Sequence, residues 1–304
     1  MTAIGFIGTG NIGNPMARHL LEAGHELVVH DRDRRASENL VERGARFAGS
    51  PAEVAEVCRV IFTSLPGPKN VEAVASGPDG LFSAARPGDI HIDLTTNSVT
   101  AAKHMAEVAA ARNVLYLDSP VTGGVAGAEA GTLTLLVSGD QLAFEKAEPF
   151  MRAIGTNIFY LGESGTGTLV KLINNLIVLC AGQLMQEGLV MGSKAGLDPE
   201  KLWEMLRVSS ARPYIGLMPM VVGRRFENPT FTLALAAKDV GLALESARDL
   251  EVPMPVTAAA HQTYLRALAA GLGGKSFAAT LEALEAGANT RVLEVQLDAG
   301  RERI

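Results

Sequence analysis

A lysine and an amide one helical turn apart are the residues whose types and spacing first suggest chemistry. They lie in the stretch 162–196, which opens with Gly162, Gly165 and Gly167 and then runs without proline to Gly196. From about Thr168 the residues favour helix, and apolar ones occupy nearly every face. The pattern predicts a helix over 168–195, roughly 42 Å long at ~1.5 Å per residue, and a helix apolar all round is expected to be buried on all sides. Lys171 and Asn175 stand at i and i+4 on one face, with Asn174 beside them. Burying an ammonium is costly unless it has partners or gives up its proton. Two readings stay open on these residues alone: Lys171 snorkels to solvent at the helix end, or it exchanges a proton in a closed pocket with a lowered pKa. Lys171, Asn174, Asn175, Gln183, Gln186 and Glu187 interrupt the apolar run and argue against a membrane span.

A second constellation sits near the start. An apolar run at 3–7 leads into Gly8-Thr9-Gly10-Asn11-Ile12-Gly13, then a helical stretch ending at Gly24, then a strand at 26–30 tipped by Asp31. This is strand, G-x-G-x-x-G, helix, strand, acid, the order a dinucleotide site requires. Gly8 permits the tight turn, Gly10 lets backbone approach a pyrophosphate, and Gly13 lets helix pack on strand. The helix start at Asn11 and Ile12 offers free N–H groups to phosphate. Asp31 would accept hydrogen bonds from the adenosine ribose and repel a 2′-phosphate, favouring NAD. Arg32, Arg34 and Arg35 follow at once and would favour NADP.

These residues need elements to hold them. The chain has 304 residues, enough for two domains. Strands are expected at 60–65, ending in Leu65 before Pro66, and at 89–93, 114–118, 132–138 and 158–161, with helices between them. Such alternation predicts a largely parallel sheet. Ligands then sit beyond the carboxyl ends of its strands, which carry Gly8, Asp31, Pro66, Thr95-Thr96 and Ser119-Pro120. After Gly162 only helices fit, at about 168–195, 199–208, 213–224, 233–249, 256–271 and 276–292. The reading is an α/β Rossmann domain over 1–163 and an all-α domain over 164–304, joined by the long central helix, with Arg301–Ile304 frayed. The net charge of −6 and the absence of a basic tract give nucleic-acid binding no electrostatic support. Cys58 and Cys180, far apart in apolar contexts, read as buried thiols. The N-terminus lacks the pattern of a signal peptide, so a cytoplasmic location is expected. His30, His91 and His261 lack metal-ligand spacing, and no metal site is expected.

The stretch Asp118–Leu133, with Gly123, Gly124, Gly127 and Gly131, follows a strand. Its small residues expose backbone N–H groups suited to a carboxylate, or form a structural bulge. Four stretches in order resemble the β-hydroxyacid dehydrogenase family: the glycine motif through Leu20, Asp118–Leu133, Gly162–Asn175, and Lys238-Asp239 in AAKDVGLAL. The resemblance covers about residues 3–292. It implies an oxidoreductase that moves a hydride between NAD(P) and a small 3-hydroxy acid. Lys171 would be its general acid/base, and Asn175, Ser119, Thr122, Gly123 and Gly124 would hold the substrate. Gly8, Gly10, Asn11, Ile12, Gly13, Asp31, Arg32, Leu65, Pro66, Thr96 and Lys238 would bind the cofactor. Thr122 stands where the family usually has Ser, Ala211 where Gly is common, and Ser276 where Asp is frequent. Arg212 and Tyr214 read as substrate grips or as interface residues. Two alternatives are carried: a reductase of short aldehyde acids (tartronate or succinic semialdehyde) using NADPH, and a non-catalytic dinucleotide-binding module. The apolar central helix also predicts a homodimer or homotetramer through the helical domain.

Overall fold

The structure is a computed structural model and describes residues 3–295, so the expectation for Arg301–Ile304 lies outside the described residues. Two compact units divide after Leu172. The first carries nine strands: β1 (Ile4–Ile7), β2 (Leu27–His30), β3 (Arg46–Phe47), β4 (Val60–Thr63), β5 (Ile90–Asp93), β6 (Leu115–Asp118), β7 (Val121–Thr122), β8 (Leu133–Gly139) and β9 (Gly155–Tyr160). Its helices are α1 (Gly13–Glu22), α2 (Glu38–Glu42), α3 (Pro51–Val57), α4 (Pro68–Ser76), α5 (Val99–Ala110), α6 (Gly124–Ala130) and α7 (Gln141–Ile154). The helix α8 (Thr166–Lys194) runs across the unit boundary. The second unit continues with α9 (Pro199–Leu206), α10 (Met218–Val222), α11 (Leu233–Asp249), α12 (Pro255–Ala269) and α13 (Thr280–Ala288).

The sheet order is β3-β2-β1-β4-β5-β6-β8-β7, with β9 also paired to β8. Strands β3 through β6 are parallel. The sheet is largely parallel as expected; the exception is β8, which runs antiparallel to β6 and to β7 while β9 lies parallel to it. The short β7 and α6 turn the chain around between β6 and β8, with no room for a crossover helix. The parallel strands are apolar on both faces, as helices cover both. Phe6 stacks on Phe62 in the core shared with α1 and α7, while Ile7 faces the core built on α3 and α5.

The second unit packs α8, α9, α11 and α12 around Leu179, Leu189, Trp203, Val240 and Tyr264. Two of the expected helices are shorter: 213–224, interrupted by Pro213, Pro219 and Gly223, becomes a 3₁₀ turn at Arg212–Tyr214 followed by α10, and 276–292 begins with a 3₁₀ turn at Phe277–Ala279 capped by Ser276. Helix α8 is not buried on all sides, contrary to the sequence expectation. Gln183 and Gln186 are buried and share Thr280, at 3.0 and 2.9 Å, so one face is anchored in this unit. Ile173, Ile177, Leu184 and Met191 are exposed by 45, 57, 71 and 72 %. By length and hydropathy α8 is long and apolar enough to cross a membrane. Cys58 is buried, Cys180 is half-buried, and both are free thiols.

Candidate active site

The carboxyl ends of β1, β2, β4, β5 and β6 are tied to one another by backbone hydrogen bonds. Gly8 N–H donates to His30 O, Ser64 N–H to Ile7 O, Leu94 N–H to Thr63 O, and Ser119 N–H to Asp93 O, all at 2.8–2.9 Å. One edge of the sheet therefore presents Gly8, Asp31, Leu65, Pro66, Thr96 and Ser119 together. The order of the strands reverses at β1, where ligands of open parallel sheets bind.

The glycine loop fits a dinucleotide. A Cβ on Gly13 would collide with the carbonyl oxygen of Gly8, and one on Gly8 with that of Ser64, so both close approaches demand glycine. A Cβ on Gly10 would meet nothing, and Gly10 and Asn11 are exposed. Helix α1 begins after Ile12 with no side-chain cap, leaving first-turn N–H groups for an anion. Asp31 is held ready at the tip of β2: its Oδ2 accepts Thr9 N–H at 2.8 Å and its Oδ1 accepts Asp33 N–H at 2.9 Å. Of the arginines that follow, Arg35 is bound by Asp33 and Arg34 lies over the Phe47 ring. Arg32 is exposed next to Asp31.

A buried polar hub at the end of β5 supports the next loop. Asp93 Oδ1 accepts Thr95 N–H and the Thr63 hydroxyl, and Oδ2 accepts from Asn97 and Tyr116, at 3.0–3.4 Å. The Thr95 hydroxyl then accepts Leu65 N–H at 3.0 Å. Thr95, Asn97 and Ser98 are all buried, and this scaffold presents Thr96 half-exposed between them. Because Thr63 gives its proton to Asp93, it accepts one from His91 Nε2 at 3.0 Å.

The hub makes a pH prediction. Burial pushes the Asp93 carboxyl up to about 6, with Asp118 adding to the rise against the bonds from Thr95 and Thr63. Burial pulls His91 down to about 3. The stability due to Asp93 is full below its ordinary value and is lost as the pH rises to about 6. That due to His91 is full above its ordinary value and is lost as the pH falls. Between about pH 4 and 6 the two slopes oppose and nearly cancel. Asp93→Asn leaves the His91 slope alone, so its stability is expected to fall on acidification by roughly 1.4 kcal/mol per pH unit more than wild type. Urea unfolding at several pH values reads the slope, and equal slopes for the two proteins contradict the assignment.

The loop after β6 is more structured than its glycines suggest. Val121 and Thr122 form β7, and Gly123 and Gly124, the cap and first residue of α6, adopt φ of +126° and +63°. Both glycines are exposed, whereas Ser119 is fully buried and its hydroxyl finds no partner among the described residues. Lys171 lies in the second turn of α8, only 9 % exposed. Asn175 and Lys238 belong to the second unit. There the Asn175 amide donates to Asp239 Oδ2 at 2.7 Å, and Lys238 Nζ stands 2.9 Å from Asp239 Oδ1. Asn174 donates to Asn175 Oδ1 at 3.0 Å, so both ends of that amide are fixed. Arg212 and Tyr214 are exposed on their 3₁₀ turn. Among the described residues no cluster of His, Cys, Asp and Glu could hold a metal ion. Sequence reasoning gave no role to Asp93, Asp118 or Asp239. The available signals were an acid at the end of an apolar strand run for Asp93 and Asp118, and the place of Asp118 and Asp239 within two of the four stretches that resemble the family.

A parallel sheet whose glycine loop closes on Asp31 defines a dinucleotide-binding domain of the Rossmann class. Comparison with known proteins agrees. Residues 3–162 match the NAD-binding domain of 6-phosphogluconate dehydrogenase. Residues 165–284 match the NAD-binding domain of NADP-dependent 3-hydroxyisobutyrate dehydrogenase. The chain is 39 % identical over 285 residues to 2-(hydroxymethyl)glutarate dehydrogenase of Eubacterium barkeri, covering 93 % of this chain and 94 % of that one. It is 38 % identical over 274 residues to 3-hydroxyisobutyrate dehydrogenase of Pseudomonas aeruginosa, covering 87 and 91 %. The structure of Mycobacterium tuberculosis 3-hydroxyisobutyrate dehydrogenase with L-serine superposes with a TM-score of 0.83 at 29 % identity, covering 93 % of this chain and 99 % of that one. The chain belongs to the β-hydroxyacid dehydrogenase family, and it is an NAD(P)-dependent enzyme of that class.

Proposed function

We propose that the protein oxidises a small 3-hydroxy acid of the 3-hydroxyisobutyrate type with NAD, using Lys171 as general acid/base. The observation that carries this reading is the burial of Lys171 on α8, which disfavours the snorkelling alternative. A bound NAD(P) would supply the acceptor or donor of the hydride. In oxidation Lys171 Nζ accepts the hydroxyl proton of the substrate, and in reduction its ammonium form gives the proton back to the carbonyl oxygen. The N–H groups at Gly123 and Gly124, with the Thr122 hydroxyl, hold the carboxylate, and the fixed Asn175 amide orients the hydroxyl-bearing carbon. Thr96, Leu65 and Pro66 in the first unit would hold the cofactor, and Lys238 in the second is assigned to it by the family resemblance. Asp31 favours NAD, and the engagement of Arg34 and Arg35 elsewhere supports that choice. The names of the relatives and the L-serine of the mycobacterial structure support 3-hydroxy acids as the class. Short aldehyde acids remain the alternative substrates, since the same residues run the reaction in reverse. A non-catalytic module has no need of a buried lysine with an oriented amide. A screen of C3–C6 hydroxy acids with NAD and NADP, followed at the reduced-nicotinamide absorbance, tests the reading; turnover of none of them contradicts it.

The protein is proposed to work in the cytoplasm as a homodimer or homotetramer. The exposed Ile173, Ile177, Leu184 and Met191 follow one another at helical spacing on one stripe of α8, and such a stripe marks an interaction surface. Light scattering at micromolar concentration is expected to give a multiple of the monomer mass, and Leu184→Glu to reduce it. A monomeric wild type contradicts the assignment.

A further inference from the structure

Asp118 is a buried acid that the chemistry above does not use. It ends β6, immediately before the loop of Ser119–Gly124, and is 1 % exposed. Its Oδ1 accepts the Ser138 hydroxyl at 2.8 Å and Gly165 N–H at 2.9 Å. Its Oδ2 accepts Thr168 N–H at 3.1 Å and the Thr168 hydroxyl at 2.9 Å. Ser138 in turn accepts Gly167 N–H at 2.9 Å. A Cβ on Gly167 would collide with the carbonyl oxygen of Leu136, so the first turn of α8 lies directly against β8. The N–H groups of Gly167 and Thr168, which an isolated helix would leave without partners, are thereby satisfied from the sheet.

We infer that Asp118 is the positioning residue for Lys171: it clamps the first turn of α8 to the sheet edge that carries the substrate loop. All four groups facing it donate, and two are backbone N–H groups that cannot reverse, so the side chain acts as an ionised acceptor with both oxygens filled. The positive end of α8 favours that charge. Burial raises the carboxyl above its ordinary value, and the bonds from Gly165, Ser138 and Thr168 oppose the rise. Lys171 follows Thr168 by three residues, about 4.5 Å along the axis and near the same face. A stiff turn carries any shift of Thr168 to Lys171, and a misplacement of about 1 Å can cost on the order of 10²-fold in rate. The first turn of α8 and Lys171 fall in the same compact unit as the sheet.

The inference rests on the reading of Lys171 as acid/base, and a double-mutant cycle separates the two. Asp118→Asn places an amide N–H₂ against two donors, and is expected to lower kcat by about 10- to 100-fold while leaving KM for the cofactor near wild type. In a Lys171→Ala background the same change is expected to cost less than about 3-fold, because the group it positions is gone. Thr168→Ser, which keeps both donors, is expected to retain kcat, and Thr168→Val to lose about 10-fold; the pair controls for folding, with thermal melts alongside. Losses that multiply in the double mutant, or Asp118→Asn with wild-type kcat, overturn the clamp. Lys171→Ala retaining more than a tenth of wild-type kcat overturns the lysine reading itself, and the clamp with it.

Discussion

Lys171→Ala is expected to lower kcat by at least ~10² while the chain still folds and still binds the cofactor. Oxidation of an alcohol releases a proton as well as a hydride, and the acceptor must lie within hydrogen-bond reach, about 2.6–3.2 Å, of the hydroxyl. Lysine meets that requirement only where its proton can leave. Arginine meets it nowhere in the accessible range, so Lys171→Arg is also expected to fail although it preserves the charge. Folding should survive because the first turn of α8 is held by Asp118 and Ser138 through Gly165, Gly167 and Thr168, none of which needs the lysine. Cofactor binding should survive because the glycine loop and Asp31 are built on β1 and β2. Steady-state kinetics with a cofactor titration read both halves. Retention of more than a tenth of wild-type kcat returns Lys171 to the role of a helix-end cation.

Asp31→Ala is expected to weaken NAD by at least about 10-fold, or about 1.4 kcal/mol, and NADP by less. The carboxylate would contribute hydrogen bonds to the ribose and repulsion toward a 2′-phosphate, and the substitution removes both. It also frees Thr9 N–H, which Asp31 now orders within the glycine loop, so some loss for either cofactor is built in. The difference between the two losses is the informative quantity. Equilibrium titrations of both cofactors against both proteins provide it. A wild type that already binds NADP more tightly, with an unchanged ratio in the variant, would assign the choice to Arg32.

Much of the first unit was legible in the sequence because its parallel strands are short apolar runs ending at a glycine or a polar residue: Ile7 before Gly8, His30 before Asp31, Thr63, Asp93 and Asp118. Two-residue strands such as β3 and β7 carry no periodicity to read. The strand β8 was expected, but its antiparallel direction was not legible, since its apolar run is the same for either direction and only the turn through β7 and α6 sets it. In the second unit Pro219 and Gly223 cut a helix that the apolar pattern extends. The exposure of Ile177 and Leu184 was illegible, because apolar composition does not say which faces of α8 one chain can cover. At the site, Lys171, Asn175 and the glycines stood out as residue types at telling spacings. Asp93, Asp118 and Asp239 did not, because their roles depend on partners such as Tyr116, Thr168 and Asn175, which lie 23, 50 and 64 residues away.

The central claim is that an amine at position 171 moves the proton, and restoring that amine chemically tests it most directly. Lys171→Cys, alkylated with bromoethylamine, carries a thioether analogue of lysine whose amine is the weaker base. Wild type treated in parallel controls for Cys58 and Cys180. The account predicts that Lys171→Cys is inactive, that alkylation restores much of kcat, and that the pH profile of the restored enzyme shifts to lower pH. An unmodified Lys171→Cys with wild-type kcat, or an alkylated enzyme whose pH profile matches wild type, would contradict it.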